Sequence, residues 1–426
     1  MKSFLLFLFF STISIIAYGQ TTYYVNKTAT GSNNGTSWAN AYTNLQSAMD
    51  AASAGDAIWV ATGTYSPTAA PDGSTADPRD RAFHLNKNLK IYGGFTGTET
   101  MLSERDWETN STILSGDFDG NDTVSGSGSL VITNNGENAY HVFITSGLNS
   151  ITLIDGFTVK GGNADGSSSS ISYDGSSFSR DSGGGMVNFS SSPSISNTTF
   201  SGNTATTGGG MYNSVSSPSI SNSTFSGNVA SFGGGIYNLS STPSISNSTF
   251  SGNSATNGGG GMYNSVSSPS ISNCSFSGNP ANNQGGGMLN ISSSAPSISN
   301  TTFSGNRATS EGGGMHNYTS SRPIIYNTIF YGNTATTGSD INGSIDNTSA
   351  HNASDGNGGG IGSGTGFIDL SSVTSTTLYI NPADPDGPDG IWRTADDGLV
   401  PAVGSPLTNT GSNTLLPTDA TDLDND

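Results

Sequence analysis

The chain has 426 residues, with 31 acidic against 12 basic side chains and a formal net charge of −19. Such an anionic surface repels phosphate backbones, so nucleic acid is excluded as a favoured partner. Hydrophobic residues make up only 32% and glycine reaches 59 residues, roughly twice ordinary usage, but no Gly-X-Y period marks a collagen and the apolar residues recur too regularly for disorder.

In chain order, residues 1–19 have the form of an export signal. Lys2 supplies the positive start, Phe4 to Ile16 are mostly apolar, and Ala17-Tyr18-Gly19 offers small residues at the cleavage spacing. The mature chain is therefore expected to begin near Gln20 and to be secreted or held at the cell surface or outer membrane. No later segment reaches the ~18 consecutive apolar residues of a helical membrane span.

Residues 20–70 read as an N-terminal cap with the first strands. Tyr23-Tyr24-Val25 is a candidate strand, and Thr43 is placed to N-cap a short helix carrying Leu45, Ala48, Met49 and Ala52 on one face. Ile58-Trp59-Val60 then reads as the first strand of a stack. Residues 71–182 give irregular rungs with loops. Their strands are Ile91 to Phe95, Ser111 to Leu114, His141 to Ile144 and Ile151 to Ile154. Ile154 to Val159 resembles a degenerate rung, and Ser167 to Asp181 is a loop leaving the stack.

From Gly183 one sequence unit is written six times, filling residues 183–335. Its first copy runs Gly183-Gly184-Gly185-Met186-Val187-Asn188 and then Pro193-Ser194-Ile195-Ser196-Asn197-Thr198-Thr199-Phe200-Ser201-Gly202-Asn203. The aligned aromatics Phe200, Phe225, Phe250, Phe276, Phe303 and Phe330 are 25, 25, 26, 27 and 27 residues apart. This period admits leucine-rich repeats or a β-helix. The leucine-rich signature is absent, and no part of the unit is long enough or of the right composition for a helix.

Three short strands per unit are expected, centred on Met186, on Ser194-Ile195 and on Thr198 to Phe200, with Thr198 and Phe200 inward. The glycine run marks a tight bend. Asn197 and its five counterparts (Asn222, Asn247, Asn273, Asn300 and Asn327) fall at a corner, where stacking allows an amide ladder. Cys274, the single cysteine, aligns with Thr198, Ser223, Ser248, Thr301 and Thr328, so a buried, inert thiol is expected. One rung cannot cover its own apolar side chains, so neighbours must stack and the ends need caps. Residues 336–426 supply C-terminal rungs, a cap and an Asp/Pro/Gly-rich tail. The expected fold is all-β: a single-stranded right-handed parallel β-helix with a small N-terminal cap containing one short helix.

The sequence resembles secreted right-handed parallel β-helix proteins of Bacteroidetes-type bacteria, pectin-lyase-like in fold, with rungs similar to those of chlamydial polymorphic outer-membrane proteins. Tyr24-Val25, Gly31 to Trp38, Gly55 to Val60, Gly63-Thr64-Tyr65, Ile91 to Phe95 and the rung Ser196 to Asn203 carry the resemblance. It covers almost the whole mature chain and implies the fold. It leaves function open, because the scaffold hosts both enzymes and adhesins. Such proteins often end in an anchoring domain; here the sequence stops at Asp422-Leu423-Asp424-Asn425-Asp426, without a recognisable one.

Polysaccharide lyases and hydrolases on this scaffold need acidic and basic side chains on one face. Between Asp181 and Arg307 there is no Asp, Glu, Lys, Arg or His. No catalytic residue is assigned. An enzymatic site would have to lie outside the neutral repeats, for example where Asp155, Lys160, Asp165, Arg180 and Asp181 gather. His84, His141, His316 and His351 lack zinc-ligand spacing, and His316 takes an outward tyrosine position. Calcium is the one cofactor considered. Asp117, Asp119, Asn121 and Asp122 form one oxygen-rich cluster, and Asp384, Asp386, Asp389, Asp396 and Asp397 form another, neither with EF-hand spacing.

The leading expectation is a non-catalytic exported scaffold engaged in adhesion, meeting surface glycans or proteins through a wall of Ser, Thr and Asn. A polysaccharide lyase or hydrolase is the first alternative, and a passive repeat spacer the second. The sequence leaves the oligomeric state open.

Overall fold

The first five regular repeats each fold into one rung of four strands, in the first copy Met186–Phe189, Ser194–Ser196, Thr199–Ser201 and Thr204–Thr207, and the sixth forms the first three of them. The computed structural model describes residues 20–126, 130–167, 169–318, 320–356 and 365–374, together with Thr377 and Ser405. The expected export signal and Asp384, Asp386, Asp389, Asp396 and Asp397 lie outside the described residues. The fourth strand escaped the sequence reading because its inward positions hold only small residues such as Ala230, Ala255 and Ala281, with no bulky apolar marker.

Every rung pairs in parallel and in register with the next: Met186 on Met211, Ile195 on Ile220, Phe200 on Phe225 and Ala205 on Ala230. Repetition builds an isoleucine sheet, a phenylalanine sheet, a methionine sheet and a shorter fourth strip. The molecule is a right-handed parallel β-helix. Its core is a column of stacked side chains, in which Phe200, Phe225, Phe250, Phe276, Phe303 and Phe330 are fully buried. Successive phenylalanine ring centroids lie 4.5 to 5.0 Å apart, with planes within 8° of parallel. Burying each side chain contributes roughly 1.5–3 kcal/mol, and ring contact adds about 0.5–1.5 kcal/mol.

Two further columns inside the stack are polar. Asn188, Asn213, Asn238, Asn264, Asn290 and Asn317 each donate from Nδ2 to the next rung, the first five bonds being 2.8–2.9 Å amide to amide and the last reaching Ser344 O at 3.2 Å. A second column runs Asn203, Asn228, Asn253, Asn279, Asn306 and Asn333 at 2.8–3.0 Å. Here each Oδ1 from Asn228 onward accepts both the backbone N–H and the Nδ2–H of the asparagine below it, as Asn228 does from Asn203. Nδ2 of Asn228 also donates to Phe200 O. The amides are thus satisfied although fully buried, which is what such burial requires.

The expected corner ladder lies nearer the surface. Its asparagines adopt left-handed φ of 47–51°, and the bonds Asn273 to Asn247, Asn300 to Asn273 and Asn327 to Asn300 measure 3.1, 3.0 and 3.2 Å. Asn197 instead donates to Asp155. Glycine is required at the bend before each methionine. Gly208 has φ +67°, and a Cβ there would sit 2.4 Å from Met211 O; on Gly209 and Gly210 it would sit 2.6 Å from carbonyl oxygens of the next rung.

At the N-terminal end Thr22–Val25 pairs with Ala57–Ala61, so the stack begins one strand earlier than Ile58. The helix spans Leu45–Ala51. Its N-cap is Asn44, whose side chain accepts from Gln46 N and Ser47 N, and not Thr43, which donates its backbone N–H to Asn33 Oδ1. Leu45, Ala48, Met49 and Ala52 are buried in the main core, as the helical periodicity required. The segment Ile154 to Val159 is a true rung: Ile154 pairs with Ile195, and Val159 with Phe200. The loop after Ser167 contains a hairpin, Ser170–Tyr173 with Ser176–Ser179, whose Ile171 and Phe178 pack with Ile144 and Val187.

Candidate functional site

The outer face of the isoleucine sheet is a repeated polar surface of the regular rungs. In Ser-Ile-Ser strands alternate residues point out, leaving Ser219, Ser244, Ser270 and Ser297 exposed and Ser221, Ser246, Ser272 and Ser299 half-buried. The asparagine corner borders this wall on one side. On the other, Ser217 Oγ and Thr242 Oγ1 are 3.0 Å apart. From Ser182 to Asn306 nothing titrates as an acid or base near neutral pH. The wall can donate and accept hydrogen bonds at the rung spacing, but it cannot supply general acid–base catalysis.

The outer face of the methionine sheet carries a row of tyrosines. Tyr212 and Tyr237 have centroids 5.5 Å apart, Tyr237 and Tyr263 4.6 Å, and Phe232 meets Tyr263 edge-on. His316 continues this row, as its alignment required, yet it is buried rather than solvent-facing, with Nε2 3.8 Å from Glu311. Burial lowers its pKa, opposed by the Glu311 charge.

The flank separates the charges that the sequence reading grouped. Asp155 pairs with Arg105 at 2.6 Å in a largely enclosed contact, and accepts from Ser196 Oγ at 2.7 Å. Arg180 makes two 2.6 Å bonds to buried Asp80. Arg79 bonds Asp165 at 2.6 Å and the carbonyls of Asn138 and Asn163 at 2.7 Å. Arg79 and Arg180 lie 4.1 and 5.6 Å from the Tyr140 ring centroid. Asp165 and Arg180 are thus neighbours in one network, whereas Asp155 stands apart from it. Asp181 accepts from Ser179 Oγ and Ser182 Oγ, and Lys160 is exposed. These carboxylates hold loops to the stack.

No described histidine is set against a nucleophile. Burial pushes the fully enclosed His141 down to about 4, and its Nδ1 lies 3.0 Å from Gly183 O. Cys274 is buried; burial pushes its thiol up to about 12, and Sγ donates to Ser272 O.

Of the first calcium candidates, Asp117 and Asp122 converge, whereas Asp119 and Asn121 are exposed and Asp119 lies outside the cluster. The third member is Glu137, from the returning chain, with ligand oxygens of all three within 4.8 Å of one another. Burial pushes Asp122 up to about 6, and the charges of Asp117 and Glu137 act in the same direction. The sequence reading missed Glu137 because it lies far along the chain. Its neighbour Asn138 and the preceding Asn134-Asn135-Gly136 turn were the available signal.

No family model and no curated protein matches the sequence. Among solved structures, pectate lyase Pel9A superposes with a TM-score of 0.51, over 95% of this chain and 96% of that one, at 13% identity. Pectin methylesterase PemA from Erwinia chrysanthemi matches with a TM-score of 0.40 at 11% identity, covering 76% of this chain and 94% of that one. A rhamnogalacturonan lyase matches with a TM-score of 0.36 at 15% identity, covering 74% of each chain. The likeness to Pel9A is one of fold: this chain is a parallel β-helix of the pectate lyase type.

Proposed function

We propose that the chain is a non-catalytic exported scaffold of the Bacteroidetes-type β-helix group, acting at the cell surface by holding glycans along its neutral wall. The observation that carries this reading is the serine and asparagine face of the isoleucine sheet, which is periodic, uncharged and open. Polyols are recognised by hydrogen bonds, and a repeating polymer laid along the axis meets the same groups rung after rung. The charged flank supports the non-catalytic half of the reading, since Asp80, Asp155 and Asp165 are held by arginines.

The test presents the chain from Gln20 onward with a panel of neutral and acidic polysaccharides. Retention without new reducing ends or unsaturated products is expected. Turnover would overturn the reading in favour of an enzyme, and absence of retention would leave a passive spacer. Replacing exposed Ser244 and Ser270 by arginine is expected to weaken retention about tenfold, or ~1.4 kcal/mol, with the circular dichroism spectrum unchanged.

A further inference from the structure

Between Gly116 and Ala139 the chain leaves the stack, forms the hairpin Thr123–Ser125 with Val131–Thr133, and returns. One backbone bond, from Ala139 N to Gly116 O at 2.9 Å, closes the neck. Three carboxylates meet there, from Asp117, Asp122 and Glu137. Asp117 accepts from the backbone N–H groups of Gly120 and Asn121, at 2.6 and 3.2 Å. Asp122 Oδ1 and Glu137 Oε1 are enclosed and have no hydrogen-bond partner among the described residues. Asn138, only 1% exposed, aims its amide at the same place, with Nδ2 2.9 Å from Asp122 Oδ2 and Oδ1 enclosed without a partner among the described residues. Three enclosed oxygens without donors, two of them on carboxylates, are costly to leave unpaired. Exposed Lys160 is a minor influence on Asp122 and does not hydrogen-bond it.

We infer that this neck binds one hard divalent cation, calcium, through Asp117, Asp122 and Glu137, with Asn138 Oδ1 as a neutral fourth donor. An all-oxygen set of carboxylates and an amide, supplied by two loops and completed by water, suits calcium's large and adaptable coordination shell better than magnesium's rigid octahedron. The cation ties the loop after Asp117 to the turn before Asn138. That turn is itself docked on the stack, through Asn135 Nδ2 to Thr204 Oγ1 at 3.3 Å and Asn163 Nδ2 to Asn135 O at 2.9 Å. Bound calcium therefore holds the hairpin against the flank of the β-helix, independently of what the serine wall binds.

The test is calorimetric titration of the chelator-stripped mature chain with calcium chloride and, separately, magnesium chloride. Tighter binding of calcium is expected, together with slower proteolysis within the excursion when calcium is present. Glu137→Gln and Asp122→Asn should each weaken the calcium site about tenfold or more, while Asp384→Asn with Asp386→Asn leaves it unchanged. Both neck variants remove negative charge from a crowded cluster, and circular dichroism checks that each still folds. Unchanged binding in both neck variants, loss in the tail variant, or no calcium binding at all would overturn the assignment.

Discussion

Asn253 illustrates what a polar side chain requires inside this stack. Its Oδ1 receives Asn228 N and Nδ2, and its Nδ2 reaches Phe225 O and Asn279 Oδ1, so both ends of the amide are used. Asn253→Ala should cost roughly 2–5 kcal/mol, since each buried group left without a partner costs about 1–3 kcal/mol. Asn253→Asp should cost more at neutral pH, because a carboxylate would face the Phe225 and Asn279 oxygens. Denaturant unfolding of the two variants checks the order. The Asn197 register was legible because asparagine at a corner is ordinary chemistry. Asn188 and Asn203 recur just as regularly, but the partners of their buried amides lie in the next rung and show only once the rungs are stacked. Cys274 was legible for the converse reason, since its counterparts are all small.

At the scale of elements, strands marked by a bulky inward residue could be read from the sequence, and those marked by alanine could not. The helix was placed correctly from its apolar face, but its cap moved by one residue, because Asn33 captures the Thr43 N–H and leaves Asn44 free to cap. The acid cluster was half legible: Asp117 and Asp122 are neighbours in sequence, whereas Glu137 arrives only through the bond that closes the neck. Joints between elements also set a pH response. His141 precedes the strand Phe143–Ser146 and meets the carbonyl of Gly183, where the first regular rung begins. Burial lowers its pKa from 6.5 to about 4, although Asp80 and Asp181 favour the charged form; Arg180 opposes it. The unfolded chain therefore binds the extra proton. The stability from neutral His141 is present above pH 6.5 and is lost as pH falls through about 4. Unfolding free energies measured by denaturant titration across this window should drop more steeply in the wild type than in His141→Gln, by an amount on the order of 3 kcal/mol.

Across the whole molecule, each rung touches only its neighbours, so stability propagates along one axis. Phe250 lies midway in the aromatic column, with Phe225 5.0 Å on one side and Phe276 4.5 Å on the other. Phe250→Asp would bury an unpaired carboxylate at a cost of several kcal/mol, comparable with the total stability of many domains. Loss of the single unfolding transition, or its separation into two, is the expected outcome; an unaltered transition would contradict the inward assignment. The asparagine columns add a property that no single rung has. Every amide in them points the same way, so each column has a donor end and an acceptor end. At the acceptor ends Thr145 Oγ1 and Gly162 N supply hydrogens to Asn188 and Asn203. At the donor ends Ser344 O receives Asn317, and the Asp340 carboxylate receives Asn333. A duplicated rung inserted between these termini would find its partners already in place above and below. Gene-level gain or loss of whole repeats can therefore reset the length of this rod while its two ends remain unaltered.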